Sequence, residues 1–224
     1  MKMTHPYFEN PLLFEENKIN VLVIENQYFF VKFINELLNQ LNGIEGRFIL
    51  SSNYKQLEIN KEVDLVIDPF TLDFNQRKII TKLYEQLKSN AIGSEYYLDS
   101  KILLGEIMQF IEKLSQTTQY PLVYTNDLDI ISILKIAEIK LETSYDTLVE
   151  KIVDYCSVIQ EFCCISCVIF VNLKCFLSNE ELELFYKTIS YKKINIMLLE
   201  NTVREKRFEQ EKIYIIDSDL CEIS

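Results

Sequence analysis

Apolar and polar positions alternate along this chain in blocks of two kinds. Short, mostly apolar runs, rich in β-branched residues, occur at Lys18–Ile24 (KINVLVI), Arg47–Leu50, Val63–Ile67, Cys167–Val171, Ile194–Leu199 and Ile213–Ile216. Each has strand length and no sustained alternation of apolar and polar residues, as strands buried on both faces of a parallel sheet require. Between them lie segments with apolar residues three and four apart, the spacing of one helical face. Gln27–Leu41 is one, with Phe30, Ile34, Leu37, Leu38 and Leu41 on one side and Asn42-Gly43 as its stop. Thr147 to about Glu161 is another, with Leu148, Ile152, Tyr155 and Ile159, capped by Thr143, Ser144 or Asp146.

The clearest unit is Cys167–Glu200. Two apolar runs flank a helix that carries Leu182, Phe185, Tyr186 and Ile189. Ser178-Asn179-Glu180-Glu181 begins that helix as a capping box, and Lys192 and Lys193 suit its negative end. Strand, helix, strand in so short a span predicts a βαβ unit.

From Asn75 to Leu114 the spacing is helical, with a break over Ser89–Ser94. A further helix is expected over Asp127–Ile139, and a brief strand over Lys140–Glu142. Long helices set between strands predict an α/β body, residues 1–72 and 140–224, interrupted by a helical excursion, residues 73–139.

Composition adjusts this picture in three ways. The chain has 224 residues, 48% of them hydrophobic, enough to bury a core. No apolar run reaches membrane-span length and the N-terminal segment lacks a continuous apolar stretch, so a cytoplasmic protein is expected, with no membrane partner. The six cysteines, five of them clustered between Cys156 and Cys175, lack zinc-ligand spacing and read as small buried hydrophobes.

Catalytic chemistry is thin. A nucleotide site at the carboxyl ends of the strands needs glycines, so that backbone amides approach the phosphates. The four glycines are Gly43, Gly46, Gly93 and Gly105, and none follows the strand ending at Ile24, where Glu25-Asn26-Gln27 stands instead. Asn172 occupies the place after its strand where a nucleotide hydrolase would hold magnesium on an aspartate. No nucleotide cofactor is expected. His5, the single histidine, reads as exposed and mobile rather than as a base. Asn126, Asp127 and Asp129 put three oxygen ligands within four residues, open to calcium, although the same pattern before an apolar helix serves more often as an N-cap.

The formal net charge is −11, which taken alone opposes a polyanion partner. The argument fails if the cations are segregated. Arg204, Lys206 and Arg207 form one dense basic group, and Lys174 follows its strand on the same edge. Lys192 and Lys193 lie at the opposite end of the strand before Arg204, and Lys78 and Lys82 lie where the excursion begins. Singly each reads as a solvated side chain; together they are the candidate DNA contacts.

The ordered series Ile139–Ile152 (IKLETSYDTLVEKI), then VIFVN, FLSNEELELFYKTIS, INIMLLEN and VREKRF resembles the C-terminal half of the Csn2 family, accessory proteins of type II-A CRISPR adaptation. The N-terminal half matches in layout. The resemblance implies a degenerate, P-loop-NTPase-like parallel-sheet head without a phosphate loop, and an inserted helical leg. It implies a non-enzymatic homotetrameric ring whose lysine-lined channel takes double-stranded DNA by its ends. It also implies partnership with the integrase pair and the RNA-guided effector nuclease in spacer acquisition, in antiviral defence. Family members bind calcium at an acidic cluster near the return from leg to head. Here that stretch is Tyr120–Asp129, and most of the acids are absent. Two rival readings stand beside this one: a nucleotide-dependent enzyme, and a protein-interaction scaffold that ignores DNA.

Overall fold

The computed structural model describes residues 1–125 and 127–223, and it divides the chain into two compact units. The first comprises Met1–Asp73 and Ser144–Ser224, the second Phe74–Thr143.

In chain order the first unit begins with β1 (Lys2–Thr4), β2 (Leu12–Leu13), β3 (Ile19–Ile24), α1 (Gln27–Leu41), β4 (Ile49–Ser52), β5 (Lys55–Leu57), α2 (Ile59–Glu62) and β6 (Val63–Val66). The second unit holds α3 (Arg77–Ile92), α4 (Tyr97–Ser115) and α5 (Ile130–Ile136). The chain returns to the first unit with α6 (Leu148–Cys163), β7 (Cys167–Val171), α7 (Asn179–Lys192), β8 (Asn195–Glu200), β9 (Glu211–Ile216) and β10 (Glu222–Ile223).

The main sheet has the order β10-β9-β3-β8-β7-β6 among the described residues, all parallel except the edge strand β10. All six residues of β3 and all five of β7 are buried, because helices or chain cover both faces. The mixed α/β fold with a parallel sheet is therefore as the apolar runs predict. On one face, Leu22 and Ile24 of β3, Ile169 of β7 and Met197 and Leu199 of β8 share a core with Phe29, Phe33 and Leu37 of α1. The other face meets α6 and α7; Phe170 of β7 stands edge-on to Phe185 of α7, 6.0 Å between centroids.

Four short strands predicted only in part form a separate antiparallel sheet, β2-β1-β4-β5. The expected strand Arg47–Leu50 is β4 and joins this sheet, not the parallel one. Met3, Leu12, Phe48 and Leu50 bind it to the α1 core.

Both long helices of the returning segment are closed by capping boxes. Ser178 caps α7 by accepting from the Glu181 N–H while Glu181 bonds back. Thr147 does the same for α6 with Glu150, one residue beyond the expected caps Thr143, Ser144 and Asp146. In the second unit, α3 packs with α4 and α5, and the Asn75 side chain exchanges two hydrogen bonds with the Leu141 backbone, at 3.1 and 2.8 Å. The helix expected over 127–139 is shorter because Asp129 is its N-cap, and Lys140–Glu142 forms no strand.

Two expectations about single residues are corrected. His5 is buried, with its ring among Tyr7, Phe8, Phe33 and Phe48 and its Nε2 3.3 Å from Glu36. Its aromatic neighbours exclude water, and burial pulls its pKa down. Of the six cysteines, all free, only Cys156 and Cys167 are fully buried; Cys164, Cys175 and Cys221 are exposed.

Candidate nucleic-acid interface

Sheet order creates the site. β8 and β9 lie on opposite sides of β3 and run the same way. Glu200, the last residue of β8, is level with Val23, whereas Glu211, the first of β9, is level with Ile19. The chain must therefore travel back along the sheet while crossing β3. Parallel connections of this kind usually contain a helix. Here residues 201–210 cross with neither helix nor strand.

The crossing is pinned from below by Phe208, whose ring meets Tyr186 of α7 edge-on at 5.3 Å, which places the crossing on the α7 side. Lys206 Nζ lies 4.9 Å from the Phe208 centroid, a cation–π contact. Arg204 Nη2 donates to Cys175 Sγ at 3.0 Å. Arg204, Lys206 and Arg207 are all exposed, so the dense basic group of the sequence becomes the outer surface of one irregular strap. Beside it, Leu177, Ser178, Leu182, Thr202 and Val203 line a cleft of about 490 Å³.

Beneath the strap lies a polar knot that the sequence does not announce. Lys174 Nζ is 2.6 Å from Glu211 Oε1, with side-chain exposures of 4% and 0%. The Tyr186 hydroxyl donates to the same oxygen at 2.7 Å, and the Phe208 N–H reaches Glu211 Oε2 at 3.4 Å. The Lys174 N–H donates to Glu200 Oε1 at 3.1 Å. Glu200 is 1% exposed, and its burial pushes the carboxyl up to about 7 against the pull of the Lys174 N–H, Lys174 and Arg204. Burial likewise pushes the Tyr186 phenol up, with Glu211 adding to it.

Lys174 thus occupies a different place from the one expected of a DNA contact. Its ammonium is spent on Glu211 inside the fold, because a buried charge needs a partner. Lys192 and Lys193 stand at the amino end of β8, and Arg204 follows its carboxyl end; a strand of this length separates them by roughly 20 Å. Lys193 ends α7 in the left-handed conformation and pairs with Glu16 at 2.8 Å. Lys78 and Lys82 are on α3 of the second unit, where Lys82 pairs with Glu85 at 2.8 Å. The structure brings together Arg204, Lys206 and Arg207, and does not bring Lys192 and Lys193 to them.

Of the three calcium candidates, Asn126 lies outside the described residues. Asp129 accepts from the Ser132 N–H and hydroxyl at 2.9 and 2.7 Å and faces Lys88 at 3.4 Å, which together hold its carboxyl below the usual range. The Asp127 N–H donates to Thr125 Oγ1. Among the described residues no three His, Cys, Asp or Glu side chains gather where they could hold a metal. Asp129 works as a helix cap.

The two positions that bear on nucleotide chemistry are also built into turns. Asn172 adopts a left-handed conformation (φ 53°), and its Oδ1 accepts from the Asn201 N–H at 3.0 Å, tying the carboxyl ends of β7 and β8 together. Asn26 caps α1, and Glu25 beside it is exposed. No helix of the described residues is long and apolar enough to cross a membrane.

Residues 40–220 match the family described as CRISPR-associated protein (Cas_Csn2). A protein of Enterococcus faecalis described as CRISPR-associated protein Csn2 is 25% identical to the chain over 229 residues, covering 98% of this chain and 96% of its own length.

Proposed function

This chain belongs to the Csn2 family of CRISPR-associated proteins, and from that membership we propose that it binds the ends of double-stranded DNA without catalysing a reaction. In this reading copies of the chain close into a homotetrameric ring, and duplex ends enter its channel during spacer acquisition, alongside the integrase pair and the RNA-guided nuclease. The observation that carries it is the strap at 201–210. In a chain of net charge −11, three exposed cations stand within four residues on one irregular crossing. Ring closure would turn a minority of cations toward a shared channel and leave the acids outside. Arg204, Lys206 and Arg207 are the primary contacts; Lys192, Lys193, Lys78 and Lys82 are secondary. Lys174 is left out because its charge is already matched.

Binding of this kind reads phosphates, not bases. Log affinity should fall by about 0.9 per unit log salt for each phosphate contacted. Linear duplex should bind far better than the same DNA as a covalently closed circle, and equal binding would reject entry by ends. Reversing Arg204, Lys206 and Arg207 to glutamate should abolish binding while light scattering still finds the same oligomer. Unchanged binding by that variant would favour the scaffold reading, and a strict monomer, with or without calcium, would remove the ring.

A further inference from the structure

The crossing from β8 to β9 raises a question that its basic residues leave open: what holds a helix-free strap in one place. Its apolar anchors are Val203 and Phe208, both only half-buried. Its polar anchor is the knot below, in which one lysine serves two carboxylates. Lys174 binds Glu211 through its ammonium and Glu200 through its backbone N–H. Glu200 immediately precedes the strap and Glu211 immediately follows it. Both ends of the strap are thus fastened to the same residue.

We infer that Glu200, Lys174 and Glu211 are positioning residues for the Arg204–Arg207 strap, and that the charge on Glu200 sets how firmly the strap is held and how much of the Arg204 charge remains for a phosphate.

The groups facing Glu200 can be named element by element. Lys174 comes from the turn after β7, Arg204 from the strap, Glu211 from β9 and Tyr186 from α7. With Glu200 protonated, the knot is a neutral Lys174–Glu211 pair with a neutral phenol. With Glu200 ionised, two buried carboxylates share one ammonium. They repel each other, and the surplus charge draws on Arg204. Its carboxyl is raised to about 7, so the change falls near neutrality. Burial is the largest cause of the raised carboxyl and opposes these attractions. Opening the strap hydrates the charged form, so acidification favours the closed strap while freeing the Arg204 charge, and alkalinity does the reverse. By linkage, a polyanion on the strap makes Glu200 take up its proton more readily.

The inference rests on the DNA reading for its consequence but not for its first test. Hydrogen exchange of residues 201–210, corrected for the intrinsic effect of pH, should show protection falling between about pH 6 and about pH 8 in the native chain. Glu200→Gln keeps an oxygen for the Lys174 N–H and should hold the protected level at both pH values. A native strap whose protection ignores pH, or a Glu200→Gln strap that keeps the native dependence, overturns the inference. As a check that needs no variant, the Glu200 carboxyl carbon followed by NMR in the native chain should titrate near neutrality; a midpoint in the ordinary glutamate range overturns it as well. Fluorescence anisotropy with a short blunt duplex then reads the consequence. The native chain should bind about threefold more weakly at the higher pH, the size of one charge interaction across solvent, and Glu200→Gln should bind alike at both. No duplex binding at either pH, with the exchange result intact, refutes the DNA reading alone. Duplex binding with an exchange pattern indifferent to Glu200 refutes this inference alone.

Discussion

Glu200 ends a largely apolar strand with a carboxyl that is 1% exposed. Its pKa rises from 4.5 to about 7, so the folded chain holds this proton more tightly than the unfolded chain. The stability it contributes is then fully present below about pH 4.5 and is lost as pH rises through about 7, on the order of 3 kcal/mol in all. His5 acts in the opposite sense. Its depressed pKa favours the neutral form, and that contribution is present above 6.5 and lost on acidification. Urea denaturation across pH should therefore be compared between the native chain and Glu200→Gln. The native chain should lose stability relative to the variant from about pH 5 to about pH 8, and parallel curves would deny the buried titration. Little of this is legible in the sequence. Lys174 stands after an apolar run with nothing nearby to mark it as buried, since its partner Glu211 is distant in sequence and starts β9, which β3 and β8 separate from β7 in the sheet. His5 looks like part of a loose terminus until Phe33 and Phe48 close around it. The signals that were available are slight: a carboxylate at the end of an apolar strand, and another at the start of the next.

Elements are more legible, where they are long. The β7–α7–β8 unit follows from two apolar runs, a helical stripe and Ser-Asn-Glu-Glu, each visible locally. Ser178→Ala should cost about 1 kcal/mol in thermal or urea unfolding, because it leaves the Glu181 N–H without its partner; a change within error would mean that α7 is held by packing alone. The short strands β1, β2 and β5 have two or three residues each, too few for any period to show. β4 reads as a strand, yet which sheet it joins depends on β1 and β5, so membership is a non-local fact. The strap is the opposite case. Its basic composition is plain, and its lack of a helix follows from charged residues with no apolar stripe. Its role as a crossing appears only once the order of β8, β3 and β9 is known. On α4 no residue is fully buried; of the apolar positions at helical spacing, Leu104, Ile107, Met108 and Ile111 are half-buried, whereas Tyr97, Ile102 and Leu114 are exposed.

At the scale of the whole molecule, the topology governs when the fold can exist. β3 lies near the start of the chain, and both strands that flank it, β8 and β9, come near its end. Pairings so far apart in sequence close late and slowly. During synthesis the six residues of β3, five of them apolar, leave the ribosome with both edges bare, while every intervening helix is made before either flank arrives. A chain ended before Ile213 should therefore accumulate in the insoluble fraction, whereas loss of only the last residues after Ile216 should be tolerated; a soluble, monodisperse short form would show that β3 can be shielded another way. Nascent copies are obliged to wait with a sticky seam open, and this protein should depend on holdase chaperones during translation more than its modest size suggests.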